Sequence, residues 1–122
     1  MVNLIFIIAF IVTLIDRVTK YVFFENSSLN KGAAFGILQG YNWLFISIAV
    51  MVIMAVIIYR NNKNYILGMG LLLGGTLGNL IDRIFYSGVI DFISLSIIPS
   101  FNIADLANTI GAILIIYEMH KD

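Results

Sequence analysis

Four long apolar segments constrain the fold of this chain more than any other feature. They cover residues 2–23, 41–59, 65–84 and 102–119. A helix of about 20 mostly apolar residues spans the hydrocarbon core of a bilayer, and in lipid its backbone hydrogen bonds must be satisfied internally. The segments therefore predict an all-α membrane protein with four transmembrane helices in one domain over residues 1–122.

The composition narrows the possible functions. Of the 122 residues, 61% are hydrophobic and 11% are charged. In soluble domains about 45–50% of the residues are apolar and about 25% are charged. The net charge is zero, so no basic surface is expected to bind nucleic acid. The chain has no cysteine and a single histidine, His120, near the C-terminus. These counts argue against thiolate catalysis, a serine–histidine triad and a zinc site, and we expect neither a metal nor a cofactor.

The connections between the apolar segments predict the orientation. The short loop at 60–64, RNNKN, carries Arg60 and Lys63, and the tail carries Lys121. The excess of basic residues in short cytoplasmic loops places both termini in the cytoplasm and the longer segments 24–40 and 85–101 on the outer side. Within these, KGAAFGIL and SGVIDFISLSII are rich in glycine and β-forming residues, so we expect short strands at the membrane surface.

Three glycines recur at four-residue spacing in the third apolar segment, at Gly70, Gly74 and Gly78. Small residues at this spacing form one face of a helix and let a second helix backbone approach closely in lipid. The pattern predicts a helix-packing face.

Several charged residues lie near the outer ends of the predicted spans. An ionisable side chain at the centre of a bilayer costs roughly 2.5–3.5 kcal/mol and is a functional candidate by default. Asp16 is one helical turn before Lys20, and Asp82 directly precedes Arg83. Ion pairing is the structural interpretation for Asp16, Lys20 and Asp82, with partners on other spans possible because adjacent helical residues do not face each other. Arg83 could instead anchor at the interface or bind a lipid phosphate.

Asp91 and Asp105 differ from Asp16 and Asp82 in having no basic residue nearby in sequence. The segment from residue 84 to residue 120 contains no lysine or arginine. Each has a structural alternative: an exposed loop carboxylate for Asp91, and for Asp105 a helix cap, because Asn102 precedes it by three residues. If the two meet in a site of low dielectric constant, they cannot both ionise easily and would share one proton. Such a pair can activate water and polarise a scissile carbonyl, as in aspartic proteases.

Five motifs follow one another along nearly the whole chain. They are DRVTK at 16–20, NKGAAFG at 30–36, GTLGNLIDR at 75–83, VIDF at 89–92 and FNIAD at 101–105. In this order they resemble the conserved blocks of the lipoprotein signal peptidase (type II signal peptidase) family of bacterial membranes. The resemblance implies four membrane helices with a small extracytoplasmic β-platform, in the bacterial cytoplasmic membrane, with the active site toward the outer face.

The same resemblance implies an activity. The protein would be an aspartic endopeptidase with Asp91 and Asp105 as the catalytic pair. Its substrate would be a prolipoprotein whose cysteine already carries diacylglycerol, cut just before that cysteine. Membrane lipids are the other expected partners, and we expect a monomer.

The remaining matched residues take supporting roles by resemblance. Asn30, Asn79 and Asn102 would hydrogen-bond substrate or hold the catalytic pair, Arg83 would organise the site, and Gly32 would let the loop approach the substrate backbone. Three further residues are implied to give structural support near the site: Asp16, Lys20 and Asp82.

One departure and two other functions accompany this interpretation. Leu106 stands where many members of the family have serine, which removes a possible hydrogen bond near the catalytic pair.

The intramembrane acids and lysine would also suit a small channel or proton-coupled carrier. The glycine face would suit a structural subunit that binds a partner helix.

Overall fold

The computed structural model describes residues 2–32 and 38–121, and the four predicted helical segments form α-helices there. Helix α1 is Val2–Val22, α2 is Asn42–Tyr59, α3 is Ile66–Tyr86 and α4 is Ile103–His120. Short turns of 3₁₀-helix follow α1 at Phe24–Asn26 and precede α3 at Lys63–Tyr65. Each helix boundary lies within two residues of the expected one.

Four short strands form two small antiparallel sheets beside the helices. Strand β1 (Ser28–Asn30) pairs with β2 (Val89–Asp91), and β3 (Ile93–Leu95) pairs with β4 (Ile98–Phe101). The strands expected in SGVIDFISLSII are present. The strand expected in KGAAFGIL is wrong for Lys31, Gly32 and Leu38, which are not in a strand, while residues 33–37 lie outside the described part.

The glycine face of α3 packs against α1, as its spacing predicts. A Cβ atom at Gly70 would lie 2.7 Å from the Ile8 side chain, and one at Gly74 would lie 2.6 Å from Val12 Cβ. Only glycine allows this approach of the two helices. Because α1 occupies the face, the glycines are not available to a partner helix, and the structural-subunit hypothesis loses the observation that motivated it.

Helix α3 is the centre of the bundle and contacts the other three helices. On its opposite side it packs against α4, where a Cβ at Gly75 would lie 2.5 Å from the Ala104 carbonyl oxygen. Helices α1 and α4 thereby place their charged ends against the same end of α3, next to the two sheets. This arrangement assembles the polar residues of all three helices at one end of the bundle.

The outer surface of the helices is apolar. Large side chains such as Phe10, Met51 and Ile58 are each 67% exposed, a degree of apolar exposure that soluble monomers avoid over large areas. Within residues 2–32 and 38–121, two helices, Asn42–Tyr59 and Lys63–Tyr86, are long and apolar enough to cross a membrane by length and composition. The bundle is therefore mostly helical with small antiparallel sheets and has the surface of a membrane protein.

Candidate active site

Asp91 and Asp105 come together at the end of the bundle that carries the sheets. Asp91 is the last residue of β2, and Asp105 is in the first turn of α4. Both are buried, with 3% and 8% of their surface exposed. Asp91 is thus not an exposed loop carboxylate, and that alternative is wrong.

Asn102 connects the two carboxylates. Its side-chain Nδ2 donates to Asp91 Oδ1 at 2.9 Å, and its backbone N–H donates to Asp105 Oδ2 at 3.1 Å. The backbone N–H of Asp105 in turn donates to Asn102 Oδ1 at 2.8 Å, which completes a capping box at the start of α4. The capping alternative for Asp105 is therefore confirmed as geometry. The capping box also fixes the Asp105 carboxylate beside Asp91, because Asn102 takes part in the cap and donates to Asp91 as well.

Asn79 of α3 holds the other oxygen of Asp105. Its Nδ2 donates to Asp105 Oδ1 at 3.1 Å, and its Oδ1 accepts from Asn102 Nδ2 at 3.1 Å. Lys20 Nζ donates to the same Asn79 oxygen, also at 3.1 Å. The orientation of the Asn79 amide is consistent with both contacts, because its oxygen faces donors and its nitrogen faces a carboxylate.

A charge cluster, made of Asp16, Arg17, Lys20 and Asp82, lies behind these residues and is buried except for Arg17, whose side chain is 27% exposed. Lys20 Nζ is 2.7 Å from Asp16 Oδ2 and 2.8 Å from Asp82 Oδ2, and Arg17 also pairs with Asp82. The ion pairing expected for these residues is confirmed. The partners of Asp82 are on α1, however, and do not include its neighbour Arg83.

Each carboxylate of the charge cluster also accepts a backbone hydrogen bond next to a candidate catalytic residue. Asp16 Oδ1 accepts from the Ala104 N–H at 2.9 Å, and Asp82 Oδ2 accepts from the Ile90 N–H at 3.0 Å. Ala104 directly precedes Asp105, and Ile90 directly precedes Asp91. Because Lys20 contacts both acids, one cation fixes the spacing between the start of α4 and the end of β2. Asp16, Asp82 and Lys20 are thus paired with one another and hold backbone groups in place, so the ion pairs account for the intramembrane acids and lysine that motivated the carrier hypothesis.

The electrostatic environment of Asp91 favours its protonated form. The pKa of Asp91 is raised to about 7, first by burial and then by the negative charge of Asp105, which together outweigh the opposing hydrogen bonds from Asn30 and Asn102 and the charge of Lys20. Among the described residues, no lysine or arginine forms an ion pair with Asp91 or Asp105. Two buried carboxyl groups without a paired cation are the setting in which one proton is shared.

Asn30, Gly32 and Arg83 form a chain of hydrogen bonds that begins at Asp91, which Asn30 hydrogen-bonds. Asn30 Oδ1 accepts from the Gly32 N–H at 2.9 Å and from Gln39 Nε2 at 2.8 Å. Arg83 Nη2 donates to the Gly32 carbonyl oxygen, and the guanidinium lies 4.8 Å from the centre of the Phe45 ring. Arg83 is buried and bonded to protein groups, so it organises the loop and is not a free anchor at the interface.

Two cavities flank the pair of carboxyl groups. One of about 420 Å³ lies among α2, α3 and α4 and is lined by Asp105, Asn79 and Arg83 together with mostly apolar residues. The other, of about 200 Å³, lies at the sheets and is lined by Asp91 and polar neighbours that include Ser28. One carboxyl group therefore faces an apolar cavity and the other faces a polar one.

Among the residues that the structure describes, Gln39 and Asn42 were missed by sequence reasoning: Gln39 binds Asn30, and Asn42 exchanges hydrogen bonds with Arg83. Arg17, which the sequence places beside Asp16, completes the charge cluster through Asp82. Gln39 and Asn42 flank the start of an otherwise apolar segment, and that polarity was the available signal. Leu106 is 42% exposed. Its backbone N–H donates to the Asn102 carbonyl oxygen at 3.3 Å, but its apolar side chain offers the site no hydrogen bond.

The chain is similar to known proteins over nearly its whole length. The family model described as signal peptidase (SPase) II matches residues 8–121. A lipoprotein signal peptidase of Anoxybacillus flavithermus is 39% identical to this chain over an alignment of 148 positions. The alignment covers 99% of this chain and 88% of that protein. One of Halothermothrix orenii is 39% identical and covers 93% of this chain and 92% of its own length.

Two solved structures have the same fold. Both are described as a bacterial membrane enzyme structure obtained by the in meso method, at 2.3 Å and at 1.9 Å resolution. The first has a TM-score of 0.86 and 34% identity over 94% of this chain and 86% of that chain. The second has a TM-score of 0.84 and 34% identity over 98% and 94%.

Proposed function

The chain belongs to the signal peptidase II family, and we propose that it is the membrane aspartic endopeptidase that matures bacterial lipoproteins. Its substrate is a prolipoprotein whose cysteine carries diacylglycerol, and it removes the signal peptide by cutting just before that cysteine. The names of its relatives support the activity. Asp91 and Asp105 are the proposed catalytic residues.

The observation that carries this proposal is the buried pair of carboxyl groups joined through Asn102. In the proposed reaction the pair shares one proton. The ionised carboxylate takes a proton from water as the water oxygen attacks the scissile carbonyl carbon, while the protonated carboxyl group donates a hydrogen bond to the carbonyl oxygen. The carbon–nitrogen bond then breaks, and a carboxyl group gives its proton to the leaving amine.

The other site residues position this pair. Asn79 and Asn102 orient the carboxyl groups through the hydrogen bonds described above, and the charge cluster fixes the backbone beside each. Asn30 and Arg83 hold Gly32, directly after β1, through hydrogen bonds to its N–H and its carbonyl oxygen, and we propose that Gly32 gives a substrate backbone room to approach. No step of the reaction needs a metal or a cofactor.

The two cavities suggest how the substrate lies across the pair. The apolar cavity at Asp105 suits the acyl chains of the modified cysteine, because apolar surface is favourably buried there. The polar cavity at Asp91 suits the peptide on the mature side of the cut. The scissile bond then crosses the carboxyl groups between them.

The setting of the enzyme in the membrane is part of the proposal. We place all four helices across the bacterial cytoplasmic membrane in one domain of residues 1–122, with both termini in the cytoplasm and the sheets on the outer face. The basic residues in the 60–64 loop support this orientation. The protein acts as a monomer surrounded by membrane lipids.

The substrate assignment is tested with a matched pair of precursor peptides in detergent. Both carry the same signal sequence, and one cysteine carries diacylglyceryl while the other is unmodified. We expect cleavage of the modified peptide alone, with product masses that place the cut directly before the cysteine. Equal cleavage of both peptides, or a cut at another bond, would contradict the proposed substrate.

A further inference from the structure

A second groove lies at the end of the bundle opposite the candidate site. It has a volume of about 440 Å³ and lies among α2, α3, α4 and the 60–64 connection, with walls that include Ala55, Tyr59, Met69 and Met119. The site residues contact the start of α2 at Asn42 and the end of α3, whereas this groove is formed by the end of α2 and the start of α3. Its size is within the range of ligand sites.

The groove is mostly apolar, and its polar lining residues lie at one end. Tyr59, Asn62 and Tyr65 line it next to the connection between α2 and α3. That connection carries Arg60 and Lys63 and no acidic residue. Arg60 and Lys63 do not line the groove, but they directly follow the lining residues Tyr59 and Asn62 in the chain. We call these two cations the basic rim of the groove.

The acidic residue Glu118 near the end of α4 does not neutralise the positive charge of this rim. Glu118 of α4 forms an ion pair with Lys121 at 3.1 Å, so its charge is already matched. Arg60 uses one guanidinium nitrogen to donate to the Ile57 carbonyl oxygen, and a guanidinium carries five N–H donors. Lys63 is exposed. Both cations can therefore face an anion at the membrane surface.

We propose that this groove binds one anionic phospholipid of the bilayer, with an acyl chain along the apolar channel and the phosphate at Arg60 and Lys63. A groove between α2 and α3 at this depth is bordered by acyl chains, because both helices are apolar enough to span the membrane. The basic rim selects the headgroup, since basic residues at a membrane surface attract anionic lipids.

The charge also argues against the main competing occupant. Val52 and Leu72 line both this groove and the cavity at Asp105, so an apolar helix of a signal peptide could in principle extend from one to the other. Signal peptides begin with a positively charged region. That region would meet Arg60 and Lys63, and like charges repel, whereas a phosphate is attracted.

The test uses quenching of tryptophan fluorescence by lipids with brominated acyl chains. The chain has one tryptophan, Trp43, at the start of α2, so the double variant Trp43→Phe/Tyr59→Trp moves the probe to the groove. The protein is reconstituted in phosphatidylcholine vesicles with increasing dibrominated phosphatidylglycerol, and in parallel with dibrominated phosphatidylcholine. The ratio of the two quenching curves gives the preference for the anionic headgroup at the probe.

We expect a preference of roughly fivefold per basic residue, which corresponds to about 1 kcal/mol each. In the same background, Arg60→Gln/Lys63→Gln removes the charge, and Ala55→Phe fills the channel while the charges stay. Both should bring the preference close to one, and circular dichroism checks that helix content is unchanged. The wild-type Trp43 serves as the reference for general lipid preference at the other end of α2.

Three results would overturn the proposal. Quenching that does not depend on the headgroup would show that no anionic lipid is selected. A preference that survives Ala55→Phe would show attraction to the basic surface without occupation of the groove. Relief of the quenching by added precursor peptide would assign the groove to the signal helix of the substrate.

Discussion

Lys20 is the residue on which the buried charge cluster depends, and Lys20→Met tests its role quantitatively. Its side chain is 2% exposed and its Nζ contacts both Asp16 and Asp82, which are fully buried. Methionine keeps the apolar length of the side chain but leaves two buried carboxylates with Arg17 as the remaining cation. Removal of one partner from a buried ion pair costs about 3–5 kcal/mol, and we expect a loss of unfolding free energy of this size.

A second substitution should recover part of this loss. Adding Asp16→Asn to Lys20→Met restores charge balance, because Asp82 and Arg17 remain paired. The amide oxygen can still accept the Ala104 N–H. Residues in one network show interaction energies of about 0.5–3 kcal/mol, so the double variant should be more stable than Lys20→Met alone.

The assay is denaturation by sodium dodecyl sulfate in mixed micelles, followed by circular dichroism of the helices. Lys121→Met is the matched control, because its pair with Glu118 is half exposed on the lysine side and an exposed pair contributes no more than about 1 kcal/mol. The reasoning is refuted if Lys20→Met is as stable as the control, or if Asp16→Asn lowers the stability of Lys20→Met further.

Three other predictions follow from the geometry. Because the pKa of Asp91 is raised to about 7, the folded protein holds this proton more tightly than the unfolded chain, so unfolding free energy should fall as pH rises from about 4 to about 7. Asp91→Asn should flatten this slope in denaturation curves, and an unchanged slope would contradict the assignment. Gly74→Ala would place a Cβ 2.6 Å from Val12 Cβ, and in the same denaturation assay it should cost about 1–3 kcal/mol; wild-type stability would show that α1 and α3 can separate at no cost. Leu106→Ser, at an exposed position, should change the cleavage rate by no more than about twofold, and a tenfold change would show that position 106 acts on the catalytic pair.

Much of the helical framework was predictable from the chain because apolar segments of bilayer length leave few alternatives. The glycine spacing in α3 predicted close helix packing, although the sequence did not tell that α1 would be the partner. The strands were harder, since β1 pairs with β2 across 58 intervening residues, and such pairing depends on the packing of the helices between them.

The sequence predicted which residues form the candidate site, but it did not predict which hydrogen bonds and ion pairs join them. The absence of a local cation singled out Asp91 and Asp105. The sequence offered capping by Asn102 and pairing with Asp91 as alternatives for Asp105, whereas the structure combines them. The sequence left open whether Asp82 pairs near Arg83 or with a cation on another span, and the structure shows partners on α1. Which span supplies them depends on the rotation of α3, which is set by tertiary packing that the local pattern does not contain.

The cleavage of a diacylglyceryl-modified precursor by three carboxyl variants tests the proposed mechanism most directly. Asp91→Asn and Asp105→Asn each remove one member of the proposed pair, and Glu118→Gln neutralises a carboxylate at the opposite end of α4 as a control. With helix content confirmed for each, we predict product from wild type and Glu118→Gln and none from either aspartate variant. Near wild-type cleavage by folded Asp91→Asn or Asp105→Asn would contradict the assignment of this pair as the catalytic residues.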